Sequence, residues 1–177
     1  MALLAELAAE IRHRGAERVG IDGVDGAGKT FFADELAAEL GGGTSRVRLD
    51  DFLNPTEMRY RLGRDSPEGF FLDSFDYGAF VAAVDAAAKP VVADGIFLHR
   101  DDLESQWDYS IWLEVPFDVS IPRGAARGYG FGDSDPAART NRRYVEGQRL
   151  YIARCAPQQR ATTVIDNVVL ERPFRTG

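Results

Sequence analysis

Apolar positions change period several times along the chain. Leu3, Leu4, Leu7, Ala8 and Ile11 recur at helical spacing and predict an amphipathic helix over residues 2–13, ended by Gly15. A short apolar run at 18–22 reads as a buried strand, and 31–40 as a helix that stops at Gly41-Gly42-Gly43. Residues 45–49 alternate and read as a second strand, delivering Asp50-Asp51-Phe52 at its C-terminal end. Alanine-rich 77–88 predicts a helix, and 90–97 a buried strand carrying Asp94. A short helix at 100–104, a strand at 109–115 and a helix at 116–126 follow. Residues 136–156 read as a long helical stretch broken near Gly147, and 162–167 as a fifth strand, before the tail closes at Pro173. The interval 54–76 is the least regular. It is charged and aromatic, Pro55 is placed to open a short helix, and Phe70, Phe71 and Phe75 could simply anchor a surface loop.

Strands alternating with helices predict an α/β fold in a single domain spanning residues 1–177, with no repeat, low-complexity tract or linker to divide it. The junction between the first strand and its helix carries the sharpest signal. Gly23-Val24-Asp25-Gly26-Ala27-Gly28-Lys29-Thr30 fits G-x-x-x-x-G-K-[ST], the phosphate-binding P-loop, in the strand–loop–helix setting that the motif requires. Its glycines allow successive N–H groups to surround phosphate oxygens at the positive end of the helix. Lys29 brings a full charge to the β- and γ-phosphates, and Thr30 a hydroxyl for Mg²⁺. Gly23, Asp25, Gly26, Ala27, Gly28, Lys29 and Thr30 are therefore the expected nucleotide-binding residues.

In open α/β sheets ligands gather at the carboxyl ends of strands, so Asp50, Asp51 and Asp94 are candidate chemistry. Solvated loop acids at 50–51 and an Asp-Gly turn at 94–95 are the competing readings. On an extended chain Asp50 and Asp51 would point apart, one toward the nucleotide. Arg123 and Arg127, four apart on one helix face beside Gly128-Tyr129-Gly130-Phe131-Gly132, suit a lid closing on phosphates over about 123–140, or else a solvated face.

Composition narrows the class. A formal net charge of −7 over 177 residues argues against general attraction to nucleic acid or anionic membrane, so a polyanion site must be locally basic. Cys155 is the only cysteine, excluding an intramolecular disulfide and a thiolate cluster, and His13 and His99 are too few for a His-rich metal site. Residues 1–15 lack the basic start and apolar run of a signal peptide, and no apolar stretch approaches about 18 residues. The expectation is a cytoplasmic protein; homo-oligomerisation stays open.

The P-loop, Leu49-Asp50-Asp51-Phe52, Ser66-Pro67-Glu68-Gly69, Asp73-Ser74-Phe75-Asp76, Asp94-Gly95-Ile96-Phe97 and the stretch 143–151 leading to Val164-Ile165-Asp166-Asn167 resemble one branch of the P-loop kinases. It includes uridine kinase, phosphoribulokinase and pantothenate kinase, and the likeness is nearest to bacterial uridine kinase-like proteins. The resemblance covers most of the chain and implies a three-layer fold with a five-stranded parallel sheet in the order 2-3-1-4-5. It implies an ATP- and Mg²⁺-dependent kinase acting on a hydroxyl of a nucleoside-like or other small metabolite. Asp50 matches the acid that acts as general base. Asp94 falls where uridine kinases have the Glu of a Glu-Gly pair near Mg²⁺, making Thr30 and Asp94 the expected metal residues. Asp73 falls near an acid that binds ribose hydroxyls, and Arg64 joins Asp50 and Asp73 as expected substrate-binding residues. Arg123 and Arg127 fall in the lid helix and join Asp50 and Lys29 as expected catalytic residues.

Uridine kinases place a base-contacting β-hairpin before the Glu-Gly strand; here 77–89 suffices only for a helix, which withdraws uridine specifically. Asp25-Gly26-Ala27-Gly28-Lys29 is also how thymidylate kinases write their loop, although their Asp-Arg-Tyr signature is missing. A nucleoside monophosphate kinase, and a nucleotide-binding regulatory module that has lost its acceptor site, are the alternatives. No Asn-Lys-x-Asp guanine motif occurs.

Overall fold

Val19 and Ile21 are fully buried in the strand β1 (Arg18–Gly23), which lies at the centre of the sheet. Burying side chains of this size stabilises a fold by about 1.5–3 kcal/mol each. The computed structural model describes residues 2–128 and 132–176. After α1 (Ala2–His13), β1 and α2 (Lys29–Leu40) come β2 (Ser45–Arg48), α3 (Thr56–Arg59), α4 (Pro67–Asp73), α5 (Tyr77–Ala86) and β3 (Val91–Asp94). The second half contains β4 (Tyr109–Glu114), α6 (Phe117–Ala126), α7 (Arg142–Cys155), α8 (Pro157–Arg160), β5 (Thr163–Asp166) and β6 (Phe174–Arg175).

The sheet runs β2-β3-β1-β4-β5-β6. The first five strands are parallel, with Ile21 opposite Asp94 on one side and Ile111 on the other. Their order is the one expected, with helices on both faces, but the expected count of five is corrected to six among the described residues. β6 pairs antiparallel with β5, Ile165 opposite Arg175. Two residues are too few to show a period, so the sequence offered no sign of this edge strand.

Several element boundaries also moved. β2 stops at Arg48, and fully buried Leu49 begins a 3₁₀ turn, Leu49–Phe52, that carries Asp50 and Asp51. The extended-chain argument for their diverging side chains therefore does not apply. The expected helix at 100–104 is a turn followed by a 3₁₀ turn, Glu104–Gln106. The irregular interval holds α3 and α4. α4 is capped by Ser66, whose hydroxyl accepts from Gly69 N at 3.0 Å, with Pro67 in the first turn.

α7 runs unbroken through Gly147. A Cβ there would lie 2.8 Å from both Phe70 Cδ1 and Pro67 O, so the glycine permits close approach of α4 rather than ending the helix. No helix among the described residues is long and apolar enough to cross a membrane.

Candidate active site

β1 delivers Asp22 and Gly23 to the sheet's carboxyl edge, and the chain turns through Val24–Gly28 into α2. Gly26 (φ +78) and Gly28 (φ +89) take left-handed conformations. A Cβ on Gly26 would lie 2.0 Å from Ser120 O, so the loop backs directly onto α6. Gly28 caps α2 without a side-chain hydrogen bond, leaving the helix's positive end without a side-chain partner. Lys29 Nζ donates to Val24 O at 2.9 Å, folded back over its own loop.

Neighbouring elements brace this loop. Asn167, just past β5, donates from Nδ2 to Ala27 O at 2.7 Å. Gln148 on α7 accepts from Asp25 N at 2.6 Å through Oε1, and its Nε2 donates to Asp25 Oδ2 at 3.3 Å. Beneath the loop, fully buried Asp22 accepts through Oδ2 from His99 N at 3.1 Å and from the Tyr151 hydroxyl, with His99 Nδ1 2.9 Å away. Burial beside Asp22 holds the Tyr151 hydroxyl well above its ordinary pKa, so it remains a donor.

A cavity of about 550 Å³ opens over the loop, a size suited to small ligands. Gly26, Gly28, Lys29 and Thr30 form its floor, Asp25 and Asp50 line it, and Gly124 on α6 and Arg127 just past its end complete that side. Burial raises the Asp50 pKa above the usual carboxylate range, opposed by Lys29 and reinforced by Asp94. The Asp25 carboxyl is pushed up to about 6 by burial, with Lys29 opposing and Asp50 adding.

Thr30 Oγ1 donates to Asp94 Oδ2 at 2.8 Å, and Arg46 Nη2 holds Asp94 Oδ1 at 2.8 Å. A hydroxyl beside a buried carboxylate is a hard-oxygen pair of the kind Mg²⁺ takes. Among the described residues there is no group of three or more His, Cys, Asp or Glu able to hold a metal. Two protein oxygens without a cage fit an ion that arrives with nucleotide phosphates and keeps its waters.

The other expected residues lie elsewhere. Arg123 donates from Nη1 to Asn167 O at 3.2 Å and from Nη2 to Val168 O, at the end of β5. Arg64 is exposed, its guanidinium 5.5 Å from the Tyr60 ring centre, and does not line the cavity. Asp73 is buried outside the cavity lining, with Oδ1 paired to Arg61 Nη2 at 2.8 Å and Oδ2 without a hydrogen-bond partner. Gly23 and Ala27 are buried within the loop. Of the expected lid turn, residues 129–131 lie outside the described residues.

Sequence reasoning gave no role to Gln148, Asp22 or Arg46. Asp22 directly precedes the P-loop and Gln148 sits within 143–151, but only three-dimensional packing joins Gln148 to Asp25, 123 residues away.

A raised carboxyl pKa has a stability consequence. Ordinary Asp titrates near 3.8 and folded Asp25 near 6, so the folded state progressively loses stability relative to the unfolded chain as pH rises between these values. Asp25→Asn is therefore expected to melt increasingly above wild type from pH 4 to pH 7, then by a constant margin. Thermal denaturation of both proteins across that range checks it; a margin that does not grow with pH refutes the raised pKa.

Fold and loop together define a P-loop nucleotide-binding fold. Neither a protein-family model nor a curated protein matches the chain. Among solved structures it is similar to a possible uridine kinase from Bacillus stearothermophilus, at TM-score 0.66 and 19% identity, over 93% of this chain and 99% of that one. A proposed fructose transport system kinase from Silicibacter sp. TM1040 matches at TM-score 0.66 and 20% identity, over 85% of this chain and 94% of that one. Shikimate kinase from Bacteroides thetaiotaomicron matches at TM-score 0.52 and 18% identity, over 89% of each chain. The chain has a uridine kinase-like P-loop kinase fold.

Proposed function

We propose that this protein is a single-domain, Mg²⁺-dependent small-molecule kinase that transfers the γ-phosphoryl group of ATP to an alcohol. The observation that carries the reading is one cavity lined by both the phosphate loop and Asp50, with Thr30 bonded to Asp94 at the floor. A nucleotide-binding module needs the loop but has no use for a carboxylate facing it across the cavity. The kinase names of the structural neighbours agree with the reading.

In the proposed reaction the loop amides and Lys29 hold the triphosphate, Lys29 exchanging Val24 O for phosphate oxygen. Asp50 accepts a hydrogen bond from the acceptor hydroxyl and orients its oxygen toward the γ-phosphorus. A bond forms from that oxygen to phosphorus while the bridge to the β-phosphate breaks; the hydroxyl proton passes to Asp50 and ADP leaves. Thr30 and Asp94 are the residues that would hold Mg²⁺, which supplies charge neutralisation on the phosphate oxygens when bound. Arg127, at the cavity wall, neutralises charge on the transferred group. Such catalysis consists mainly of positioning and electrostatics.

Incubation with ATP, Mg²⁺ and panels of nucleosides, sugars and vitamin precursors tests this. ADP and a phosphomonoester should appear with at least one alcohol. Saturable ATP binding without transfer to any acceptor would leave only the regulatory module. The two arginines should also separate: Arg127→Ala lowers kcat by roughly 10²-fold, whereas Arg123→Ala, which loses bonds to backbone carbonyls of residues 167 and 168, lowers the melting temperature and affects kcat less. Unchanged kcat in Arg127→Ala would remove Arg127 from its assigned role.

A further inference from the structure

Acidic side chains crowd this cavity. Asp25, Asp34 and Asp50 line it, and Asp94 lies at its floor against Thr30. Carboxylates converging on open water attract divalent cations, because each oxygen is a hard donor. Here the carboxylates are matched by side-chain cations. Lys29 favours the charged forms of Asp25 and Asp50, and Arg48, at the end of β2, favours that of Asp50. Arg46 takes the other two acids.

Arg46 lies on β2 opposite Val92 of β3. Its Nη1 donates to Val92 O at 2.7 Å, its Nη2 to Asp94 Oδ1 at 2.8 Å and its Nε to Asp34 Oδ1 at 3.0 Å. A planar guanidinium held at three nitrogens has little freedom left. The Arg46 side chain is 19% exposed and that of Asp94 5%, so solvent and salt screen this pair weakly. The Asp34 side chain, one turn beyond Thr30 on α2, is 58% exposed, which makes its pairing with Arg46 the looser of the two.

With Arg46 on Oδ1 and Thr30 on Oδ2, both Asp94 oxygens carry a hydrogen bond. The charge of Asp94 is therefore balanced within the protein. A dication approaching Asp94 alone meets a fixed positive charge beside a carboxylate that is already paired. Nucleotide phosphates reverse this balance, since they bring several negative charges to the neighbouring loop amides and Lys29.

We infer that Arg46 is a positioning residue acting through Asp94: it is the resident counter-ion at the metal end of the cavity, and it makes the protein take up a divalent cation only together with nucleotide phosphates. The inference rests on the assignment of Thr30 and Asp94 to Mg²⁺ in the kinase reading and adds the order in which the metal enters.

The test uses Mn²⁺ as the probe, with and without a non-hydrolysable ATP analogue. Water-proton relaxation enhancement separates protein-bound Mn²⁺ from the free ion and from the ion on free nucleotide. Nucleotide-free wild type should bind Mn²⁺ with a Kd on the order of 10⁻³ M or weaker, and the analogue should tighten binding about 10-fold or more. Arg46→Gln keeps a donor for Val92 O but removes the charge. It should raise the nucleotide-free affinity about 10-fold or more, and adding Asp94→Asn should abolish the gain. Arg46→Lys, which keeps a cation, should stay within about 3-fold of wild type. Arg48→Gln removes the same charge two residues away without touching Asp94 and should also stay within about 3-fold. A merely structural role for Arg46 would weaken metal binding on substitution, not strengthen it.

Unchanged or weaker Mn²⁺ binding by folded Arg46→Gln overturns the inference, and so does an equal gain in Arg48→Gln. Nucleotide-free wild type that binds Mn²⁺ as tightly as the analogue complex overturns it without recourse to any variant. In each of these cases the kinase reading stands as long as Asp94→Asn weakens Mn²⁺ binding in the analogue complex. If Asp94→Asn leaves that binding unchanged, the metal assignment fails and the inference falls with it.

Discussion

Lys29→Ala should lower ATP-dependent transfer by on the order of 10³-fold, with the loss divided between nucleotide affinity and kcat. Lys29 is the one full positive charge on the cavity floor; the other lysine, Lys89, donates to Val84 O on α5, and Arg127 stands at the cavity wall. The substitution has a second effect. Lys29 opposes the burial that raises the pKa of both Asp25 and Asp50, so its removal drives both carboxyls further upward. The variant should consequently lose activity most severely at acidic pH. Equilibrium binding of a non-hydrolysable ATP analogue, measured beside the rates, checks the assignment. Unchanged affinity and unchanged rates would refute the phosphate-site reading, and loss of both with an intact fold would support it.

Asp50→Asn should reduce kcat by about 10²–10⁴-fold and leave ATP affinity close to wild type. Asparagine fills the same space on the 3₁₀ turn but cannot take up a proton, so the variant separates binding from transfer. The pH profile gives an independent readout. Because burial raises the Asp50 pKa, its basic form is depleted as pH falls through a value above the ordinary carboxylate range. Wild-type kcat should therefore carry an acidic limb that the variant's residual rate lacks. Full activity of Asp50→Asn on the acceptor would refute its role as proton acceptor.

The sequence carried the architecture further than the acceptor side. Hydrophobic period and turn residues located the five parallel strands because β1, β3 and β4 are buried runs and β2 and β5 carry alternating patterns between turn residues. The two-residue β6 strand and the 3₁₀ turn at Asp50 are below the length at which a period can be recognised. The P-loop was legible because its chemistry is contiguous in the chain. The acceptor wall was not, because Leu53, Phe70, Ile96 and Tyr144 lie on four separate segments. Arg64 and Asp73 illustrate the converse: neighbours of the right chemistry in sequence, they lie outside the cavity lining because α4 turns Asp73 into the protein, onto Arg61. Arg123 and Arg127, expected on one helix face, differ in environment: α6 ends at Ala126, and the residues after β5 occupy Arg123.

α7 reaches the site at three levels. Arg143 holds the carbonyls of the 59–66 loop, Gln148 holds Asp25, and Tyr151 holds Asp22 beneath the P-loop, while Gly147 admits Phe70 between them. On a regular helix these four positions fall within an arc of about 140°, and one inserted residue would turn everything beyond it by about 100° and advance it by about 1.5 Å. A single insertion between Arg143 and Gln148 would therefore leave either the 59–66 loop or the phosphate loop unheld, however conservative the added residue. The Gly41-Gly42-Gly43 turn, where an added Cβ meets no atom within 4 Å, has no such constraint. Chain length is thus free to drift at one end of the core and is quantised at the other: α7 sets the distance between the donor loop and the acceptor wall.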